Sequence, residues 1–104
     1  MARLRVQAPG VEARVVELAG DLVVGRMAPA DLVVDDAKMS RRHCRIARSG
    51  AGWIVEDLGS SNGTRVNGVV VTARPIAPGD RIEAGLTTLV LELDPPRAAF
   101  PAPV

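Results

Sequence analysis

Apolar residues along this chain recur in short bursts with a period of two, and no long stretch carries a helical period. Arg3-Leu4-Arg5-Val6 and Val11-Glu12-Ala13-Arg14-Val15 alternate polar and apolar positions, which sends successive side chains to opposite faces of a strand. Short runs rich in Val, Leu and Ile follow at 22–24, 32–34, 43–47, 53–57, 69–71, 81–83 and 88–93. Val and Ile favour strands because a branched Cβ suits a pleated, half-buried surface. A spacing of about 8–12 residues with turn signals between is the pattern of a sandwich or barrel. The pattern predicts an all-β sandwich over residues 1–94. Residues 37–40 are too few to separate a turn from a loop.

Turn chemistry supports this division. Ser61-Asn62-Gly63 and Val66-Asn67-Gly68 both carry Asn-Gly, which supplies positive φ at low cost, and Pro78-Gly79-Asp80 is a third turn. Val66 to Val69 reads as a hairpin. The end of the chain differs. Pro stands at 95, 96, 101 and 103, so residues 95–104 read as an extended tail or linker. Phe100 is the one large apolar group there, and a disordered tail is expected over a docked one.

Composition narrows the function. The 104 residues fit one domain, and 47% apolar content suffices for a core. That content is 15 Val, 15 Ala and 9 Leu against one Trp, one Phe and no Tyr, too few aromatics for a base-stacking platform. One Cys permits no internal disulfide, and one Cys with one His cannot form a Cys/His zinc site, so no metal or other cofactor is expected. A net charge of +1 gives no general attraction to nucleic acid or membrane. No apolar run resembles a signal segment or a membrane span, so a reduced, cytoplasmic setting is expected. Abundant Ala, Arg, Gly and Pro with a single Lys suggests a GC-rich bacterial source.

Charge is nevertheless uneven. Residues 26–48 hold six basic and three acidic side chains. Three clusters fall at predicted strand ends: Gly25-Arg26, Ser40-Arg41-Arg42-His43, and Asp57-Leu58-Gly59-Ser60-Ser61-Asn62-Gly63-Thr64. Brought to one end of a sandwich, they would combine Arg forks with hydroxyl, amide and backbone N–H donors. That mixture suits a tetrahedral dianion, because Arg makes bidentate charge-assisted bonds while the others make directed ones.

These clusters, with Val66-Asn67-Gly68 and Pro78-Gly79-Asp80-Arg81-Ile82, resemble the signature of the forkhead-associated (FHA) domain in order and spacing over about residues 4–93. The resemblance implies a two-sheet, mostly antiparallel β-sandwich of about eleven strands. It implies a non-enzymatic module that binds phosphothreonine peptides in Ser/Thr kinase signalling. By motif position, Arg26 would grip the phosphate, Ser40 would hydrogen-bond it, and Arg41 would add a second basic contact. Ser61 would sit at the phosphate or threonine edge, and Asn62 would hold the peptide backbone. Lys38 is a candidate for contacts beyond the phosphothreonine. Gly25, His43, Gly63, Thr64 and Asn67 would keep the loops in shape. Ala84 stands where the family more often has a larger aliphatic residue. The sequence has no Ser or Thr from 95 onward, so the phosphothreonine partner is expected to come from another chain or from a segment outside this sequence.

Other readings compete at several positions. Ser40, His43 and Asp57 invite a hydrolase triad, but no nucleophile elbow accompanies them. Cys44 and Trp53 read as core residues, Arg42 as pointing away from Arg41, and Asp35-Asp36 as solvated. The competing function is a phosphate-independent assembly or oligomerisation domain.

Overall fold

The computed structural model describes residues 2–93. They form eleven strands and no helix. The strands are β1 (Ala2–Gln7), β2 (Arg14–Leu18), β3 (Leu22–Gly25), β4 (Leu32–Val33), β5 (Cys44–Ser49), β6 (Gly52–Asp57), β7 (Thr64–Val66), β8 (Val69–Val71), β9 (Ala73–Ile76), β10 (Arg81–Ala84) and β11 (Thr87–Leu93). One sheet has the order β2-β1-β11-β10-β7-β8, the other β4-β3-β5-β6-β9. Pairing is antiparallel except between β3 and β4. The expected all-β sandwich is the observed fold. The 95–104 tail lies outside the described residues.

The period-two pattern becomes the core directly. Leu4 and Val6 in β1 face inward and Arg5 outward. The register sets Leu4 opposite Leu91 and Val6 opposite Leu89, with Leu89 opposite Ile82 and Ile82 opposite Val66. All six of these apolar side chains are buried. The second sheet contributes Val24, Cys44, Ile46 and Val55, and Trp53 is buried with the Arg48 guanidinium 5.3 Å from its ring centre. Ala84 is fully enclosed in the same core.

Two sequence expectations shift. The strand expected at 11–15 begins instead at Arg14. The ladder between β1 and β2 ends at Val6 opposite Arg14, so residues 11–13 have no partner in β1. β9 was not among the expected strands; its Pro75 is tolerated because β9 is an edge strand with β6 as its sole neighbour.

The register also decides what gathers where. Val24 at the end of β3 pairs with Cys44 at the start of β5, and Cys44 pairs with Asp57 at the end of β6. Thr64 at the start of β7 pairs with Ala84 at the end of β10. The loops 26–31, 34–43 and 58–63 therefore leave the sandwich at one end.

Candidate functional site

Gly25 begins the construction. A Cβ at this position would lie 1.8 Å from the Arg41 carbonyl oxygen and 2.7 Å from its carbon. Only hydrogen fits, so the absence of a side chain lets the loop after β4 close onto the end of β3. The contact is locked by the Arg26 N–H, which donates to the Ser40 carbonyl at 3.0 Å. Arg26 and Ser40, 14 positions apart in sequence, thus become hydrogen-bonded neighbours.

His43, fully buried, ties this pair to the third loop. Its Nδ1 accepts from the Ser40 N–H at 3.0 Å. A backbone N–H can only donate, so Nδ1 is unprotonated and the ring proton sits on Nε2. That N–H donates to the Gly63 carbonyl at 2.8 Å. Both ring nitrogens are committed to loop backbone. The His43 N–H and C=O extend the strand ladder, bonding to the Val24 C=O and the Leu58 N–H.

The loop 58–63 is wound around Asp57. Its carboxylate accepts from the N–H groups of Gly59 and Ser60, from the Ser60 hydroxyl, and from the buried Thr64 hydroxyl at 2.8 Å. Burial raises the Asp57 pKa, but these bonds outweigh it and hold the group below the ordinary carboxylate value. The Ser60 oxygen also accepts from the Gly63 N–H, and Gly63 takes a φ of 82°, as the Asn-Gly turn predicts.

The exposed groups then follow. Ser40 Oγ accepts from the Ser61 N–H at 3.0 Å, and among the described residues its own proton has no acceptor. Asn62 Nδ2 donates to the Lys38 carbonyl at 2.7 Å, which leaves Oδ1 without a donor among the described residues. Arg26, Lys38, Arg41 and Arg42 are exposed, and within the described residues none is in an ion pair. Arg5 and Arg45, by contrast, are paired with Glu92 and Glu56. The end of the sandwich thus presents four cations in no ion pair among the described residues around hydroxyl and amide groups, with Asp31 and Asp35 exposed on the same loops.

Of the residues singled out in the sequence, Gly25, Arg26, Lys38, Ser40, Arg41, His43, Ser61, Asn62, Gly63 and Thr64 all lie on this end. Asn67 does not. It occupies the turn at the opposite end of β7 with φ 51°, donates through Nδ2 to Asp80 and accepts from the Arg81 N–H. It shapes a loop, but a distant one. The triad reading fails on geometry. His43 is bonded to Ser40 backbone rather than its hydroxyl, and Asp57 bonds its own loop. Cys44 is buried, and desolvation first, then nearby Asp57, pushes its thiol up to about 12.

Asp35 and Asp36 separate. Asp35 is exposed, whereas Asp36 is 2% exposed and not solvated. Asp36 accepts from the Lys38 N–H, the Leu86 N–H and the Thr87 hydroxyl, pinning the Lys38–Ser40 loop to the β10–β11 turn. Burial again raises its pKa, and the hydrogen bonds bring it below the ordinary value. The sequence hinted at Asp57 through Asp-x-Gly-Ser, a spacing that lets a carboxylate cap its own turn. For Asp36 the Lys38 N–H is local, but Leu86 and Thr87 lie 50 and 51 residues away, and no local signal marks them.

A protein-family model described as the FHA domain matches residues 22–85. The FHA domain-containing protein FhaB of Mycolicibacterium smegmatis is 40% identical over 75 residues, 71% of this chain and 47% of that protein. The chain spans about half the length of the curated relatives it matches. Among solved structures, the FhaA FHA domain complexed with the intracellular domain of Rv3910 is similar at TM-score 0.79 and 30% identity, over 88% of this chain and 100% of that one. A structure described as an analysis of phosphothreonine-dependent FHA domain interactions is similar at TM-score 0.77 and 29% identity, over 90% and 97%.

Proposed function

This chain belongs to the forkhead-associated (FHA) domain family, and on that footing we propose that it is a phosphothreonine-peptide recognition module of Ser/Thr kinase signalling, a binding protein and not an enzyme. The observation that carries the reading is the Ser40 hydroxyl. It accepts from the Ser61 N–H, keeps its own proton available, and stands beside Arg26 and Arg41, which lack carboxylate partners among the described residues.

In this reading the phosphate of phosphothreonine, near −1.5 to −2 at neutral pH, takes the Arg26 guanidinium as its main charge partner. Ser40 donates its free hydroxyl proton to a second phosphate oxygen, and Arg41 adds positive charge. Ser61, held over Ser40 by its backbone, borders the phosphate and the threonine. Asn62, anchored through Nδ2, presents Oδ1 to a peptide N–H. Lys38, whose carbonyl anchors Asn62, faces residues flanking the phosphothreonine. Gly25, His43, Gly63 and Thr64 hold the loops. The partner is a phosphothreonine protein from another chain, written by a cytoplasmic kinase. Residues 1–94 constitute the module, with 95–104 as a linker or tail.

Calorimetric titration of a phosphothreonine peptide tests this. Hydrogen bonds to charged groups are worth about 1.5–3 kcal/mol each, so Arg26→Ala lowers affinity by about ten- to a hundredfold. Ser40→Ala lowers it less, since Arg26 remains. Equal binding of the unphosphorylated peptide, or full affinity in folded Arg26→Ala, would favour a phosphate-independent assembly domain instead.

A further inference from the structure

A second concavity lies on the same end of the sandwich, beside the phosphate site. It is an open groove of about 290 Å³ between the end of β1, the 8–13 loop and the end of β4. Val6, Ala8 and Val34 form its buried floor, and Pro9, Val11 and Val33 its exposed walls. Val11 is 60% exposed and Val33 44%, so the walls present apolar surface to water at a cost to solubility. One edge is fastened by Arg14, which donates to the Val33 carbonyl at 3.2 Å and joins the edge strands of the two sheets.

Two features say what the groove takes. The first is continuity with the phosphate loops. The Val34 N–H donates to the Gly25 carbonyl at 2.9 Å, Gly25 packs on Arg41, and the next residue is Arg26. A chain leaving the phosphate site along β4 therefore meets the groove within a few residues. The second is charge. Glu12 and Asp35 stand at its mouth, exposed and in no ion pair among the described residues, while the phosphate end carries Arg26, Lys38, Arg41 and Arg42. Arg14, also exposed and in no ion pair among the described residues, lines the same groove, so its lining is net negative by one charge where the phosphate end presents a cluster of cations.

We propose that this groove is a second contact for the phosphorylated partner, taking an apolar side chain flanked by Lys or Arg from the segment beside the phosphothreonine. The inference rests on the phosphopeptide reading. It divides recognition in two: the phosphate loops read the modification, and the groove reads a distal apolar-basic pair of opposite charge to the phosphate.

The test is selection from a phosphothreonine peptide library randomised over about eight residues on each side, about 26 Å of extended chain. The wild-type protein should enrich Leu, Ile, Val or Phe beside Lys or Arg at a distal position. Val11→Ser/Val33→Ser, both exposed positions, should lose that apolar enrichment. It should also bind the selected long peptide about tenfold more weakly, yet bind a phosphothreonine peptide trimmed to its nearest flanking residues like wild type. Undiminished distal enrichment in the double variant, or none in wild type, overturns the proposal. So does a wild-type dimer that the double variant dissociates, which would assign the groove to a second copy of this chain. Arg26→Ala reports separately: full retention of long-peptide binding there overturns the phosphate reading and not the groove.

Discussion

Gly25→Ala is the substitution with the largest consequence for its size. The new methyl carbon would lie 1.8 Å from the Arg41 oxygen, whereas real Cβ contacts essentially never fall under 3.0 Å. The obstacle is backbone, so no side-chain rotation relieves it, and the Arg41 peptide must retreat by more than about 1 Å. Two hydrogen bonds ride on that peptide's position, Arg26 N–H to Ser40 O and Ser40 N–H to His43 Nδ1, each 3.0 Å and each lost by such a shift. At about 1 kcal/mol per bond and about 1–3 kcal/mol for the overpacking, the cost is about 3–5 kcal/mol. In a domain of this size 3 kcal/mol lowers the melting temperature by about 12–24 °C. Thermal unfolding followed by circular dichroism measures it, and the folded fraction should bind phosphothreonine peptide at least tenfold more weakly. Gly20→Ala is the control: nothing lies within 4 Å of its Cβ and its φ is not in the left-handed region, so its melting should match wild type or rise slightly. A Gly25→Ala protein that melts and binds like wild type would refute the loop-locking argument.

Acid should act in two separate windows. Phosphopeptide affinity should fall as pH drops through about 6, where the phosphate becomes a monoanion, with the fold intact. Asp36 and Asp57 have folded-state pKa values depressed below 3.8, so the stability they contribute is present above that value and is lost as pH falls through the folded ones. Unfolding monitored against pH should therefore steepen only below about 4, and loss of both signals together near 6 would contradict the assignment. Asn67→Ala should destabilise by about 2–3 kcal/mol, from a left-handed φ and two side-chain bonds, without changing phosphopeptide affinity; a change in affinity would place it in the site after all. Cys44, at 0% exposure with its thiol near 12, should resist a thiol reagent at pH 8 until the protein is denatured, as a colorimetric thiol count reports.

Local rules carry much of this molecule and stop at a definable point. Alternation located Leu4 and Val6, and Asn-Gly located the turns at 62–63 and 67–68, because strand period and positive φ are properties of a few adjacent residues. The resemblance to FHA domains placed Ser40, Asn62 and Gly25 on one end. What no local pattern contained was the reason each is there. Gly25 is needed for a contact with Arg41 16 positions away, not for a turn, and its φ is ordinary. Asp36 looks solvated beside Asp35 because its partners, Leu86 and Thr87, arrive with a different strand. Val11 looked like strand because alternation says nothing about where the neighbouring strand ends.

The order in which these bonds form bears on how binding energy is used. Asp57, Asp36 and His43 satisfy the backbone of three loops before any ligand arrives, so the cost of ordering the loops falls on folding and not on association. The loop end leaves a set of groups unsatisfied: a hydroxyl proton on Ser40, a carbonyl oxygen on Asn62, and cations without carboxylate partners among the described residues. Each of these is solvated in the free domain, and each gains a partner of opposite character only from a charged acceptor followed by a peptide N–H. An unphosphorylated threonine supplies the N–H and not the charge, a free phosphate supplies the charge and not the N–H. On the proposed reading, discrimination against both follows from this small set of unsatisfied groups, with near-neutral net charge overall.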